Sequence, residues 1–495
     1  MGRDLMAQAA KKFVILGAGP AGLALAVKLL RRHDLNAEVL VVEQQPGVGG
    51  LAASFEYAGV HFDYGSHRLH PSTSPEIIRD ISTLLGPDLL IRPRHGRIRM
   101  LKHFIKFPLT PVDLAFHLPP SFLLGIGFDA VRKIFRSKSP AQVSFARVLL
   151  QELGPTIANN FYFPYARKLW GLEPEALSDI QARRRISATN LTQMVRKALA
   201  AKSRPGGKKT RPFFYYPRKG FGQICQALAQ EVEHFGGKLR LATAVKEIHL
   251  QDRCISGITL APSNISPNDS DSAITSDCEK ISPHFVFSTI PVTTLVNNLK
   301  PEPNSEVIDC SNQLQYRAMI FCYLILETDQ FTPYDAHYFP GNDTIFSRLS
   351  EPKNYSGSRD PHGFTGLCME IPCFVGDDIW TASDDQISSR VLKDLAQVGL
   401  PFCFPLLNMF IRRRHHAYPV YDLNFESRFK IIDDYLLRLP NLVSLGRQGL
   451  FAHDNTHHAL EMAYAASNCL DSGGHWNPNK WLFYRSQFES HVVED

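Results

Sequence analysis

Four consecutive apolar residues, Phe13 to Leu16, form the first regular pattern in the chain. An unbroken run of this length predicts a short strand buried on both faces. An Ala- and Leu-rich stretch from Ala21 to Leu30 then predicts a helix, and Glu38 to Glu43 a second buried strand. Further on, helices are expected over Pro75 to Leu85, Pro140 to Leu153, Leu191 to Ala201 and Phe221 to Phe235. Leu239 to Leu250 and Cys254 to Leu260 read as a strand pair, and Phe285 to Pro291, Tyr316 to Glu327 and Leu442 to Leu445 as single strands. Ser203 to Arg211 is a Gly/Lys-rich linker, and Ala261 to Pro283, poor in core-forming residues, reads as a mobile hairpin tip.

Between the first two strands lie Gly17, Gly19 and Gly22, a spacing with a physical reading. Gly17 permits the tight turn, Gly19 lets the backbone approach a pyrophosphate, and Gly22 lets the helix pack close to the sheet. The helix N-terminus favours the phosphate charge. Glu43 falls where a carboxylate accepts hydrogen bonds from a ribose diol. Strand, turn, helix, strand and acid in register predict a dinucleotide site in a doubly wound α/β domain. Asp63 to His70 follows directly and is expected beside the same ligand.

Composition narrows the class. With 495 residues, 44% hydrophobic and 21% charged, the chain suits a globular protein of two or more domains. A net charge of +6 is modest for this length, so nucleic acid is not an expected partner. Nine cysteines without a CxxC pair point to free thiols in a reducing compartment, and Met1 to Lys12 lacks a signal-peptide core, so a cytoplasmic protein is expected. From Arg92 to Arg136 the chain turns basic and aromatic, with prolines throughout, as in an inserted domain. The segment 92–135, with Phe104, Phe107 and Leu114 to Phe128, resembles a surface that rests on anionic lipid.

The N-terminal fingerprint, Gly49 with Gly50, Tyr216-Pro217-Arg218 to Gly222, Phe287 to Pro291 and Gly446-Arg447 together resemble the flavoprotein superfamily of amine oxidases, protoporphyrinogen oxidase, carotenoid desaturases and UDP-galactopyranose mutase. The resemblance implies bound FAD. It places Gly49 and Gly50 by the pyrophosphate, the Val245 backbone by the adenine, and Gly446 and Arg447 by the ribityl and flavin end. It implies a discontinuous cofactor domain from 11–91, 212–291 and 436–475, an α+β substrate domain from 92–211 (helical) and 292–435, and a tail at 476–495. Local motifs resemble the mutase branch: Gly65 to His70, its loop over the flavin; Lys168-Leu169-Trp170-Gly171 with Arg184, its Lys-x-Trp-Gly motif and diphosphate-binding arginine; and Ala417 to Tyr421, its Tyr-Pro turn near substrate. Thr456 and His457 depart from that branch, which carries Met-Asp there.

Candidate catalytic residues are therefore His67, His70, Arg184 and Tyr418. Imidazoles titrate near neutrality and suit proton transfer, and a guanidinium fork suits a phosphate or carboxylate. Arg183 and Arg185 cannot share one ligand with Arg184 at helical spacing. The run Arg412 to His416 reads as an anionic entrance or a solvated face. His453, His457 and His458 include a metal-like i, i+4 spacing, but they lie within the flavin motif, and no metal is expected. The leading expectation is an FAD-dependent oxidoreductase moving a hydride from an organic substrate, anionic or amphiphilic, to flavin N5. A non-redox nucleotide-sugar mutase using reduced FAD, a carotenoid or porphyrinogen desaturase or oxidase at a membrane surface, and a flavin-binding carrier without catalysis are the alternatives. Substrate, electron acceptor and oligomeric state are left open.

Overall fold

The computed structural model describes residues 10–134, 144–186, 212–264, 273–274, 278–400 and 403–493. A parallel five-stranded sheet carries the fingerprint, with strands in the order Leu442–Ser444, Phe285–Ser288, Lys11–Leu16, Ala37–Val42 and Lys238–Arg240. Alternate side chains of the central strands enter different cores. Phe13, Ile15, Val39 and Val41 face one, and Val14, Leu16, Leu40 and Val42 face the other. Burial on both faces is what the unbroken apolar runs require, and it makes the sheet doubly wound. Helix Pro20–Leu30 covers one face, packing against Gln223–His234 and Thr456–Asn468. The chain thus has the α/β, Rossmann-like fold expected of its flavin resemblance, beside a second α+β layer.

That second layer is a seven-stranded sheet in the order Leu406–Pro419, Tyr316–Leu326, Thr365–Cys373, Arg348–Ser350, Ala336–Tyr338, Gly96–Met100 and His103–Phe107. All its neighbours are antiparallel except Ala336–Tyr338 with Gly96–Met100. Helices Pro111–His117, Pro120–Ile134, Phe145–Glu152, Phe163–Trp170 and Asp179–Ile186 follow the 103–107 strand.

Three expectations change. The segment after Arg92 is not wholly helical. Gly96 to Met100 alternates buried and half-buried positions, the period-two pattern of a strand, and joins the seven-stranded sheet. The helix expected from Pro140 begins at Phe145, where the Ser144 hydroxyl accepts from the Arg147 amide at 3.4 Å; 140–143 lie outside the described residues. The long strand Leu406–Pro419 was not anticipated, because the polar run Arg412 to His416 interrupts its apolar signal. The helix expected at Leu191 to Ala201 and the linker at 203–211 also lie outside the described residues, as do 265–272 and 275–277 of the expected hairpin tip; at its two ends the tip is strand, within Cys254–Asn264 and Glu279–Ile281.

Candidate active site

The dinucleotide cradle begins at the end of the 11–16 strand. Gly17 adopts φ +101°, and its amide donates to the Val42 carbonyl at 2.8 Å. A side chain at Gly22 would overlap the Gly17 carbonyl oxygen, so the helix meets the turn this closely only because residue 22 is glycine. The second Gly turn docks on the first through Gly49 N–H to the Ala18 carbonyl, 2.8 Å. Between them is open space. A Cβ on Gly19 would meet nothing within 4 Å, and one on Gly50 would come to 3.8 Å from the Gly19 Cα. Gly446, at φ +78°, brings the C-terminal turn against Ala21 at the helix start.

Glu43 is buried at the end of the Ala37–Val42 strand, accepting from the Ala18 amide and the Gln45 amide, each at 2.9 Å. Burial pushes its carboxyl above the usual range, and those two amides partly offset the push. The Thr243 amide donates to the Glu43 carbonyl at 2.9 Å, which sets the strand carrying Val245 alongside the acid. The Val245 carbonyl accepts from Asn298 at 3.0 Å, next to a break in strand register. Two Gly turns around a gap, a helix N-terminus and a fixed carboxylate fit the pyrophosphate and ribose of FAD.

Beyond the cradle lies a cavity of about 90 Å³. Of the candidate residues, His67, His70, Tyr418 and Arg447 line it together. His67 shares a ring nitrogen, Nε2, with the Tyr64 carbonyl at 2.9 Å and stacks on Phe221 at 5.3 Å. A carbonyl only accepts, so Nε2 carries the proton and neutral His67 keeps its lone pair on Nδ1. Burial lowers the His67 pKa, which favours that neutral form. His70 Nδ1 accepts from the Ser72 amide at 3.1 Å, and its ring stacks over His457 at 6.1 Å. Arg447 donates to the Ala417 carbonyl at 2.9 Å and lies over the Tyr418 ring at 4.8 Å.

Arg184 stands one layer behind this wall. Its guanidinium pairs with Asp454 at 3.0 Å, and Asp454, not Arg184, lines the cavity. Burial alone would raise the Asp454 carboxyl, but the His491 hydrogen bond at 3.0 Å and the Arg184 charge outweigh it and hold it low. Arg183 turns to Asp179 on the exposed side of the helix. Asp454, His458 and His491 converge closely enough to hold an ion, yet a guanidinium occupies one oxygen of that carboxylate. Lys168, from the motif, donates to the Phe339 and Phe346 carbonyls and to Thr344, and burial lowers its pKa to about 7.

The run at Arg412 to His416 is neither a free entrance nor a solvated face. Arg412 lies over Phe55 at 3.4 Å and donates to Tyr64, Arg413 pairs with Asp384, and His416 packs on Tyr316.

Sequence reasoning missed the Arg348–Glu370 pair, and it placed Arg68 and Asp63 beside the ligand without giving either a role of its own. Arg348 makes a two-pronged pair with Glu370, both contacts 2.7 Å, and Glu370 also accepts from the Ser66 amide at 2.7 Å. That carboxylate therefore pins the Gly65 to His70 loop. Arg348 and Glu370 are cross-strand partners, so only strand register could have revealed them. Arg68 is buried among the Tyr338 and Tyr355 hydroxyls and Asp335, at 3.1, 3.0 and 3.2 Å. Asp63 accepts from Tyr216 at 2.6 Å and the Phe221 amide at 2.9 Å, anchoring the loop from its other end. The spacing of Asp63 ahead of Gly65 was the available signal.

The profile of the family described as flavin containing amine oxidoreductase matches residues 20–466. No curated protein sequence matches the chain. Among solved structures, a reduced UDP-galactopyranose mutase aligns with TM-score 0.76 at 19% identity, covering 98% of this chain and 100% of that one. An oxidoreductase from Methanosarcina mazei aligns with TM-score 0.60 at 15% identity, covering 92% and 100%. A putrescine oxidase bound to putrescine aligns with TM-score 0.62 at 14% identity, covering 93% and 98%. Cradle, cavity and profile agree: the chain is an FAD-dependent enzyme and belongs to the flavin-containing amine oxidoreductase family.

Proposed function

We propose that this enzyme oxidises a small anionic organic substrate, taking a hydride from a carbon held in the cavity between the Gly65 to His70 loop and the Tyr418–Arg447 wall. The charge of the cavity supports this reading. Arg68, Arg94, Arg348 and Arg447 line it against two carboxylates, Glu370 and Asp454. Adding the groups directly behind, Arg184 and Asp335, leaves five guanidinium groups against three carboxylates. A surplus of positive charge in a confined site favours a carboxylate or phosphate on the ligand.

Bound FAD supplies the two-electron acceptor, at the N5 position of its ring. Gly17, Gly19, Gly49 and Gly50 would hold its pyrophosphate, Glu43 its ribose, Val245 its adenine, and Gly446 and Arg447 its flavin end. The residues of the chain do the remainder. His67 Nδ1 accepts the proton that leaves the substrate heteroatom as the hydride departs, and the Tyr64 carbonyl holds the ring in that tautomer. His70 and Tyr418 flank the substrate. Glu370 fixes the loop through Ser66, and Arg184 acts through Asp454, positioning the opposite wall. Oxygen, a quinone or another carrier then removes the electron pair.

The test is an anaerobic titration of the holoenzyme with carboxylated and phosphorylated amines and alcohols beside their neutral analogues. Bleaching of the flavin band by the anionic members, with KM raised about tenfold or more in Arg94→Gln, is the expected result. Bleaching by neutral compounds alone overturns the anionic assignment. Isomerisation of a nucleotide sugar by prereduced enzyme, without bleaching, replaces oxidation with mutase chemistry.

A further inference from the structure

Helices Pro111–His117 and Pro120–Ile134 present apolar side chains outward. Phe116 is 82% exposed, Leu124 75% and Phe128 65%, with Val112 and Val131 also more than half exposed. On the second helix, Leu124, Phe128 and Val131 follow i, i+4, i+7 and share one face. The opposite face is satisfied. Phe122 is buried, and a Cβ on Gly125 would press on Thr156. The outward stripe is therefore a second apolar face, not a core face left uncovered. Large apolar side chains this exposed, three of them on one face of a single helix, mark an interaction surface.

The charges around it select the partner. Lys102 and Lys106, on the adjoining hairpin, are exposed, as are Arg132 and Lys133 on the second helix. The two carboxylates carried by these helices point inward. Asp113 accepts from the Lys106 amide at 2.7 Å and Asp129 from the Thr156 amide at 2.8 Å, each less than a tenth exposed. Glu152, paired with Lys133, is the exposed acid beside them. Bulky apolar residues on a helical face, rimmed by cations, match an anionic bilayer surface, in which side chains sink to the acyl boundary while cations meet headgroups. No helix among the described residues is long and apolar enough to cross a membrane, so the contact lies in the plane of the surface. Phe104 and Phe107 take no part, because they pack on His337 and Tyr338 inside the seven-stranded sheet.

We propose that the outward faces of these two helices, Val112 and Phe116 on the first and Leu124, Phe128 and Val131 on the second, dock the enzyme on an anionic lipid surface. The test is cosedimentation of full-length, FAD-loaded protein with phosphatidylserine-rich vesicles and with pure phosphatidylcholine vesicles. Binding to the first, released by salt and weakened at least about tenfold by Phe116→Glu with Phe128→Glu, is expected. Unchanged flavin absorbance and melting temperature in that variant separate lost docking from lost folding. If that variant does not fold, Phe128→Trp reports the same contact: emission shifts to the blue with phosphatidylserine vesicles and is quenched by brominated lipid. Failure to bind phosphatidylserine vesicles, binding indifferent to both substitutions, an unshifted Trp emission, or a dimer that Phe116→Glu dissociates overturns the proposal.

Discussion

At the scale of single residues, Glu43 carries the sharpest expectation. It is a buried carboxylate on two amides at 2.9 Å, and a hydrogen bond to a charged group contributes roughly 1.5–3 kcal/mol. Glu43→Gln is therefore expected to weaken FAD by about ten- to a hundredfold, measured as the dissociation constant from flavin fluorescence. An unchanged constant would place the ribose elsewhere. Histidines set the response to acid. Burial lowers His337 and His416 to about 4 and lowers His67 as well, from an ordinary value of 6.5. Folded-state values below the unfolded one mean that the unfolded chain binds more protons as pH falls, so stability is full above about 6.5 and is lost between there and about 4. Each of His337 and His416 accounts for about 2 kcal/mol between pH 7 and 5. A thermal midpoint that falls over this interval, and falls less in His337→Gln or His416→Gln, is the expected observation. Glu43 and His67 were visible in the sequence, since each sits at a fixed offset within a local motif. His337 and His416 were not, because nothing near them in the chain says that they are buried.

At the scale of elements, legibility followed the period of the pattern. Phe13–Leu16 and Ala318–Leu326 are continuous apolar runs, and both fold within buried strands. Leu406–Pro419 is equally a strand, but its Arg412 to His416 run signals solvent. The structure resolves the conflict by giving each of those side chains an aromatic or acidic neighbour, so that stems are covered while the guanidinium ends stay partnered. Arg412 is the clearest case, with its guanidinium 3.4 Å from the centre of the Phe55 ring and 2.7 Å from the Tyr64 hydroxyl. Arg412→Ala removes packing as well as charge, and a loss of about 1–2 kcal/mol is expected in urea denaturation. Lys393→Ala, at an exposed helix position, is expected to change stability by less than about 0.5 kcal/mol. Equal effects of the two would mean that the run contributes nothing to the sheet.

At the scale of the whole molecule, the cofactor cradle and the cavity are assembled from residues far apart in sequence. The parallel sheet joins 11–16 and 37–42 to 238–240, 285–288 and 442–444, while Gly446 closes on Ala21 and Val493 donates to the Arg184 carbonyl at 3.0 Å. The strands at 11–16, 37–42, 285–288 and 442–444 were readable one at a time, because each has a local pattern; 238–240 was not, since Leu239 to Leu250 reads as one strand but breaks into Lys238–Arg240 and Thr243–Gln251 in different sheets. Their order, and the Arg348–Glu370 and Arg184–Asp454 pairs that hold the cavity, depend on which distant segments meet, and no local pattern encodes that. The same connectivity sets how the molecule responds to its cofactor. A ligand that binds only the folded state stabilises it by about 2.7 kcal/mol at a hundredfold excess over its dissociation constant. Because segments near both ends of the chain meet in this one sheet, that stabilisation is expected to reach segments distant from the ligand in sequence. Removing FAD is expected to lower the thermal midpoint and to raise amide hydrogen exchange together in 11–42, 285–288 and 442–468, since these strands and helices share one sheet and its covering layer. Re-adding FAD should restore all three in parallel. Protection that returned in 11–42 but not in 442–468 would mean that the C-terminal turn closes independently of the cofactor, and that Gly446 and Arg447 do not belong to its site.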